Sequence, residues 1–72
     1  MKELQPHQKR VVDEHGELKL KVDALNAFIT SNPTFAGLSE AEQGLLKAQI
    51  KAMKIYLAAL DYRIKLFQRG DQ

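Results

Sequence analysis

Apolar residues recur at helical spacing along two long segments of the chain. In the first segment they are separated by seven, four, three and four residues, which places them on one stripe of a helix. These positions are Val11, Leu18, Val22, Leu25 and Ile29. Pro6 suits the first turn, because its missing N–H would have no helical partner there. Pro33 disfavours helical backbone at Asn32, so the pattern predicts a helix over about residues 6–30.

The second segment carries apolar residues at alternating intervals of four and three, which is the pattern of a heptad seam. We term these positions the first seam: Leu46, Ile50, Met53, Leu57, Leu60, Ile64 and Phe67. Ser39, with Glu42 three residues later, forms a capping box at the start, and Gly70 suits the end. The pattern predicts a second helix over about residues 40–68 and a loop over 31–38.

These elements predict an all-α fold. A short connection between two long helices favours an antiparallel hairpin, which is preceded here by a short N-terminal segment. The sequence shows no internal repeat and no domain boundary, so we expect residues 1–72 to form a single helical domain. Phe35 and Leu38, the large apolar residues of the loop, are expected to cover the end of the core.

A second apolar series follows the second helix at intervals of three and four. We term it the second seam: Leu45, Ala48, Ala52, Ile55, Ala59, Tyr62 and Leu66. The two seams lie about 150° apart around the helix, so one partner helix can cover only one of them. The chain has no further helix for the other, which predicts a homo-oligomer built around the second helix. An exposed Ala-rich surface is the alternative, but Leu45, Ile55 and Leu66 are large.

Composition narrows the function classes. The chain has 11 basic and 9 acidic residues and a net charge of +2, which argues against a dedicated duplex-DNA binder. It has no Cys and two His, and no nucleophile motif, so we expect neither a metal site nor an enzyme. The longest apolar run, residues 55–60, is too short for a membrane span, and residues 1–6 lack the apolar core of a signal peptide.

Polar residues border the apolar stripe of the first helix on one flank. With one aromatic residue they are His7, Arg10, Glu14, Glu17, Lys21 and Phe28. Arg10–Glu14 and Glu17–Lys21 are expected to form i, i+4 ion pairs on a solvated edge. Arg63 lies between the two seams of the second helix, where a partly buried guanidinium needs an anion. A carboxylate of a neighbouring chain and a ligand phosphate both fit that need.

The order of residues in both helices is specific. In the first helix and the loop it includes Gln8-Lys9-Arg10-Val11-Val12-Asp13-Glu14, Glu17-Leu18, Lys21, Leu25, Phe28-Ile29, Ser31-Asn32-Pro33 and Phe35. In the second helix it includes Glu42, Leu45-Leu46, Gln49, Met53, Tyr56, Leu60, Arg63-Ile64 and Phe67. Over about residues 6–67 this order resembles the anti-CBASS sponge family of small bacteriophage proteins (the anti-CBASS protein two type).

The resemblance implies a compact helical protomer assembled into a homohexamer. Family members bind cyclic dinucleotides such as 3′,3′-cyclic GMP-AMP in pockets between protomers. Some also bind cyclic trinucleotides such as cyclic tri-AMP at sites built by three protomers. They hold these signals away from the host's defence effectors without cleaving them. The resemblance therefore implies no cofactor, no DNA, RNA or membrane partner, and a location in the cytoplasm of the infected bacterial host.

The family's ligand residues match five positions of this sequence. A basic residue in the middle of the first helix, which contacts phosphates in the family, matches Lys21. The family's aromatic residue after the first-turn proline, usually Tyr, is His7 here, and an imidazole stacks less surface. Gln8 and Arg63 match the trinucleotide site, and Arg10 also fits the family's pattern.

Two other functions are compatible with these residues. A helical interaction or assembly module would use the seams to bind helices of another protein. A nucleic-acid binder would use a strip of four lysines on the second helix, although such a strip without Arg or interleaved aromatic residues is more typical of a solvated face. The strip consists of Lys47, Lys51, Lys54 and Lys65.

Overall fold

Three helices make up residues 4–70, the part of the chain that the computed structural model describes. They are α1 (Pro6–Ser31), α2 (Pro33–Ala36) and α3 (Glu40–Gln68). No strand occurs in these residues, which confirms the expected all-α class. The two long helices, α1 and α3, pack against each other, and the described residues form a rod of 49 × 15 × 15 Å.

The ends of the long helices follow from local chemistry. Pro6 occupies the first turn of α1. At the start of α3, the Glu42 N–H donates a hydrogen bond of 3.1 Å to Ser39 Oγ. Gly70 follows the end of α3 with φ 81°, a left-handed conformation that favours glycine. The bounds of α3 coincide with those of the expected second helix, whereas α1 runs one residue further than expected, to Ser31.

The connection is not the plain loop over residues 31–38 that the sequence predicts, because it contains α2. Asn32 leaves the helical region at φ −91° and ψ 122°, as expected before Pro33. Its Oδ1 accepts a hydrogen bond of 2.9 Å from the Thr34 N–H. Because Pro33 has the φ of a first helical residue, this capped proline starts one further turn of helix.

The elbow, which we define as residues 28–43, is held by aromatic packing and one amide group. Phe35 is the buried residue of α2, and its ring meets the Phe28 ring edge-on with centroids 6.1 Å apart. The Gln43 Nε2 group donates to the carbonyl oxygens of Phe35, Ala36 and Leu38 at 3.0, 3.3 and 3.1 Å. This side chain therefore ties α2 to the first turn of α3.

The core is the contact between the α1 stripe and the first seam. Its buried members are Val11, Leu18, Val22, Ile50, Leu60 and Phe67. Leu25, Ile29, Met53, Leu57 and Ile64 are partly buried against them. Leu60 is the most enclosed side chain, with 1% of its surface exposed. Of the two seams, the first is therefore the one that faces α1.

The second seam is exposed along its whole length. Leu45, Ile55 and Tyr62 leave 70%, 68% and 67% of their surface open to solvent. No other element within residues 4–70 covers this face of α3. A line of large apolar side chains on an isolated rod marks a surface for association.

Candidate ligand-binding site

One edge of the contact between α1 and α3 is marked by a cluster of three polar side chains. His15 Nε2 lies 3.5 Å from Asp61 Oδ1, and Asp61 Oδ2 lies 3.1 Å from Lys65 Nζ. Because His15 belongs to α1 and Asp61 to α3, this contact shows which sides of the two helices meet. We term this side the Asp61 edge.

The opposite edge carries the polar residues of the first helix that the sequence singles out. Helical periodicity places His7, Arg10 and Lys21 on the far side of the α1 stripe from His15. On α3 the same rule places Gln49, Tyr56 and Arg63 on the far side of the first seam from Asp61. All six side chains are exposed. We term this side the Lys21 edge, and it brings four of the five candidate residues to one face of the rod.

The cations of the Lys21 edge have no carboxylate partner within the described residues. The expected Arg10–Glu14 and Glu17–Lys21 ion pairs are wrong, since neither is among the pairs of residues 4–70. The ion pair within α1 is instead formed by Lys19 Nζ and Asp23 Oδ2, at 3.3 Å. An exposed i, i+4 pair contributes only a few tenths of a kcal/mol, which does not outweigh the freedom of two long side chains.

Gln8 lies apart from the other candidates. Its Oε1 accepts a hydrogen bond of 2.9 Å from the Gln5 N–H, which caps the start of α1. Helical periodicity turns it toward the side of His15 rather than that of His7, although the two are adjacent in sequence. The structure therefore gives Gln8 a capping role that the sequence analysis missed, and the signal for it was a Gln at the third helical position.

Arg63 is exposed in the single chain, and it forms no ion pair within residues 4–70. Asp61, two residues earlier, is engaged with His15 and Lys65 on the opposite edge. Any desolvation of the guanidinium must come from a neighbouring molecule, because the chain itself leaves it in water. Its place between the two seams keeps it next to the surface on which such a neighbour would pack.

The lysine strip of α3 is partly engaged within the chain. Lys65 pairs with Asp61, and its Nζ lies 5.4 Å from the centre of the Tyr62 ring. Lys47 Nζ lies 6.0 Å from the centre of the Phe35 ring. Two of the four lysines therefore have local partners, which favours a solvated helix face over a continuous phosphate-binding strip.

A cleft continues the Lys21 edge toward the elbow. It is a shallow depression, largely open to solvent, with a volume of about 450 Å³, and it is lined by Ala24, Ala27, Phe28, Ser31, Asn32 and Pro33. We term it the elbow cleft.

Within residues 4–70 there is no group of three or more His, Cys, Asp or Glu side chains that could hold a metal ion. In the same residues no helix is both long enough and apolar enough to cross a membrane.

Comparison with known proteins places this sequence in a family. Residues 5–66 match the model of the family described as Sequestin, which includes every residue of the Lys21 edge. The chain belongs to the Sequestin family. This family consists of anti-CBASS proteins that sequester cyclic oligonucleotides, so the resemblance drawn from the sequence is confirmed. Sequestins are a binding family rather than a catalytic one.

A curated phage protein is also similar to this Sequestin chain. It is an uncharacterized 7.5 kDa protein in the denB–rIIB intergenic region of Enterobacteria phage T4. The two are 40% identical over 62 residues, which cover 86% of this chain and 95% of the phage protein. No solved structure matches the chain.

Proposed function

We propose that this Sequestin protein binds cyclic oligonucleotide second messengers in clefts between protomers and holds them without cleaving them. The observation that carries the proposal is the Lys21 edge, where Arg10, Lys21 and Arg63 lie exposed without carboxylate partners in the described chain. A cyclic dinucleotide supplies two phosphates and two flat bases. Unpaired cations beside Tyr56 and His7 offer the complementary charge and the ring surfaces.

In the proposed protomer α1 and α3 form an antiparallel hairpin. A helix of α3's 29 residues is about 43 Å long, so a rod of 49 Å has room for two such helices only side by side. Copies of this hairpin then associate through the second seam. The family resemblance favours a hexamer as the complete assembly.

The surface area of the chain supports association. The chain exposes 5642 Å², whereas a globular monomer of 8.2 kDa exposes roughly 4,500 Å². The excess of about 1,100 Å² exceeds the roughly 800 Å² that each partner buries in a standard interface. Packing of the second seam against other copies would remove this excess.

The spacing along α1 explains why the proposed dinucleotide pocket needs two chains. His7 and Lys21 share the Lys21 edge but lie 14 residues apart, which is about 21 Å along the helix. One ligand therefore meets Lys21 of one protomer and His7 of another. A two-fold axis would supply each cation and each ring twice from a single sequence position.

Gln8 and Arg63 are proposed for a separate cyclic trinucleotide site. They lie on different edges of the rod, so a site that contains both must take them from different protomers. The amide of Gln8 keeps its Nε2 donors for a ligand while its Oε1 caps α1. The exposed guanidinium of Arg63 would bind phosphate oxygens.

Calorimetric titration with 3′,3′-cyclic GMP-AMP tests the dinucleotide proposal. Lys21→Ala should weaken binding about tenfold or more, because it removes a charge-assisted contact to phosphate. The matched control is Lys54→Ala, which removes the same charge from α3 away from the Lys21 edge and should bind like the wild type. The ligand should be recovered intact after heat denaturation, as judged by mass spectrometry. Wild-type protein that binds no cyclic oligonucleotide, or that releases a cleaved product, contradicts the proposal.

The exposed second seam is also compatible with one alternative function. A helical interaction module would use Leu45, Ile55 and Leu66 to bind another protein. Such a module would bind a protein partner and no small ligand. The same titration therefore separates the two functions.

A further inference from the structure

We propose that the elbow cleft receives one nucleobase of the cyclic oligonucleotide whose phosphate contacts Lys21. This inference rests on the proposed function, and it assigns residues to base recognition that neither the family match nor the sequence analysis names. The cleft of about 450 Å³ lies at the end of α1 and is bounded by α2.

The cleft lies on the same side of α1 as Lys21. Ala24 and Phe28 follow Lys21 by three and seven residues, which are helical spacings, so all three share one face. Phe28 lies about 10 Å from Lys21 along the helix, in the direction away from His7. A ligand phosphate at Lys21 would then have the elbow cleft on the side toward the end of α1. The bases of a cyclic dinucleotide project outward from its phosphate–sugar ring, so one base could enter the cleft while a phosphate stays at Lys21.

The walls of the cleft suit a flat ring. Phe28 is half-buried, and its edge-on contact with Phe35, at an interplanar angle of 86°, fixes the orientation of its ring. Ala24 and Ala27 add only methyl groups, which leaves room above the helix. Aromatic and small apolar walls are the surfaces on which proteins stack single bases.

The end of the cleft is rich in hydrogen-bond acceptors. Pro33 has no N–H, and the Thr34 N–H donates to Asn32 Oδ1, so the carbonyls of Ile29 and Thr30 receive no backbone N–H within the described residues. The last turn of α1 also contains no basic residue. A helix C-terminus with free carbonyls favours N–H donors and disfavours phosphate. The edge of a nucleobase, which always carries an N–H donor, fits this end.

Two side chains complete the polar pattern. The Thr30 hydroxyl donates to the Asn26 carbonyl at 2.8 Å, so the 3.3 Å contact between Thr30 and Ser31 must use the Ser31 proton. The Ser31 oxygen therefore keeps lone pairs for a donor. The Asn32 Nδ2 group has no partner within residues 4–70 and can donate. An acceptor next to a donor matches the alternating pattern of a base edge.

Two variants test the cleft separately from the proposed function. Asn32→Ser keeps an oxygen that can cap α2 and removes only the amide donor. Ala24→Leu fills the cleft on an intact helix. Both should bind 3′,3′-cyclic GMP-AMP about tenfold more weakly in calorimetry, with the same oligomer size in native mass spectrometry. Asn26→Ser and Ala58→Leu make the same chemical changes away from the cleft and should bind like the wild type.

The outcomes distinguish a failure of the cleft proposal from a failure of the proposed function. If either cleft variant binds like the wild type while Lys21→Ala is weakened, the cleft proposal is overturned and the proposed function stands. If the wild type binds no cyclic dinucleotide, the proposed function itself fails. If a variant does not fold, proton NMR of the wild type can test the cleft proposal instead. The Phe28 ring resonances should shift when the ligand is added, and unchanged resonances at saturation would overturn the cleft proposal.

Discussion

His7 stands at the position where the family resemblance expects a larger aromatic ring, and it is exposed at the start of α1. Because its side chain contributes nothing to the core, the residue can be exchanged without a cost in packing. An exposed ring on a helix that faces a neighbouring molecule is available for stacking. The choice of ring therefore affects ligand affinity more than it affects the fold.

His7→Tyr should tighten binding of 3′,3′-cyclic GMP-AMP several-fold, because a phenol ring offers more stacking surface than an imidazole. Calorimetry at fixed pH measures the gain, and thermal unfolding should show little change. His15→Tyr is not a suitable control, since His15 contacts Asp61. His7→Ala is the better comparison and should bind more weakly than the wild type. Equal affinity in all three proteins would show that this residue does not stack on the ligand.

Gln43 connects two elements through one amide group, and this role is visible only in the structure. Its Nε2 donates to three carbonyl oxygens of the elbow. Gln43→Ala should lower the free energy of unfolding by about 1–2 kcal/mol, because the carbonyls of Ala36 and Leu38 lose the Gln43 donor, whereas the Phe35 carbonyl still accepts from the Leu38 N–H. Gln43→Glu should cost more at neutral pH, since a carboxylate would face three acceptors. Urea denaturation measures the free energy of unfolding of the wild type and both variants. A Glu variant as stable as the wild type would contradict the assigned contacts.

Element by element, the sequence supported the long helices and failed on the short one. Periodic apolar residues and end signals such as Pro6 and Ser39 describe α1 and α3 well. The four-residue α2 has no periodicity to detect, and its start depends on a side-chain cap at Asn32. The expected i, i+4 pairs within α1 were wrong because spacing alone does not fix the rotamers of exposed charged side chains.

Gly16 weakens the middle of α1 without serving a visible purpose in the chain. A methyl group added there would meet no atom within 4 Å apart from its chain neighbours and the adjacent backbone of α1. Gly16→Ala should therefore stabilise the protein by about 1 kcal/mol and raise Tm by roughly 4–8 °C. The same change at Gly70, where φ is 81°, should bring no gain, because that backbone conformation is strained for alanine. Scanning calorimetry of both variants checks the pair, and loss of stability in Gly16→Ala would show that a neighbour packs closely on this face.

For the molecule as a whole, residue spacing identified which side chains share a face but not what covers them. The placement of Lys21 and Arg63 on one edge could be worked out from helical periodicity once the facing seam was known. The sequence could not identify which residues of another copy would complete the proposed site, because contacts between separate chains leave no period in the sequence. The elbow cleft also escaped detection, since it depends on the turn between α1 and α2.

The association proposed for the second seam has a direct test. Ile55→Glu places a charge at the centre of that exposed apolar line and should reduce the oligomer to smaller species. Native mass spectrometry reports the mass distribution at micromolar concentration. Lys54→Glu changes the charge at the adjacent position, outside the seam, and should leave the assembly intact. A wild-type protein that is a folded monomer under the same conditions would contradict the association.

A rod only 15 Å across has little room to keep a ligand-binding surface apart from a surface for association. Arg63, which would bind a phosphate, directly follows Tyr62 of the second seam, which would contact another copy. In the proposed assembly, adaptation to a chemically altered signal must therefore use changes that also preserve the contacts between copies. The narrowness of the fold restricts how such a protein can diversify, because a replacement that changes ligand binding would also change the contacts between copies.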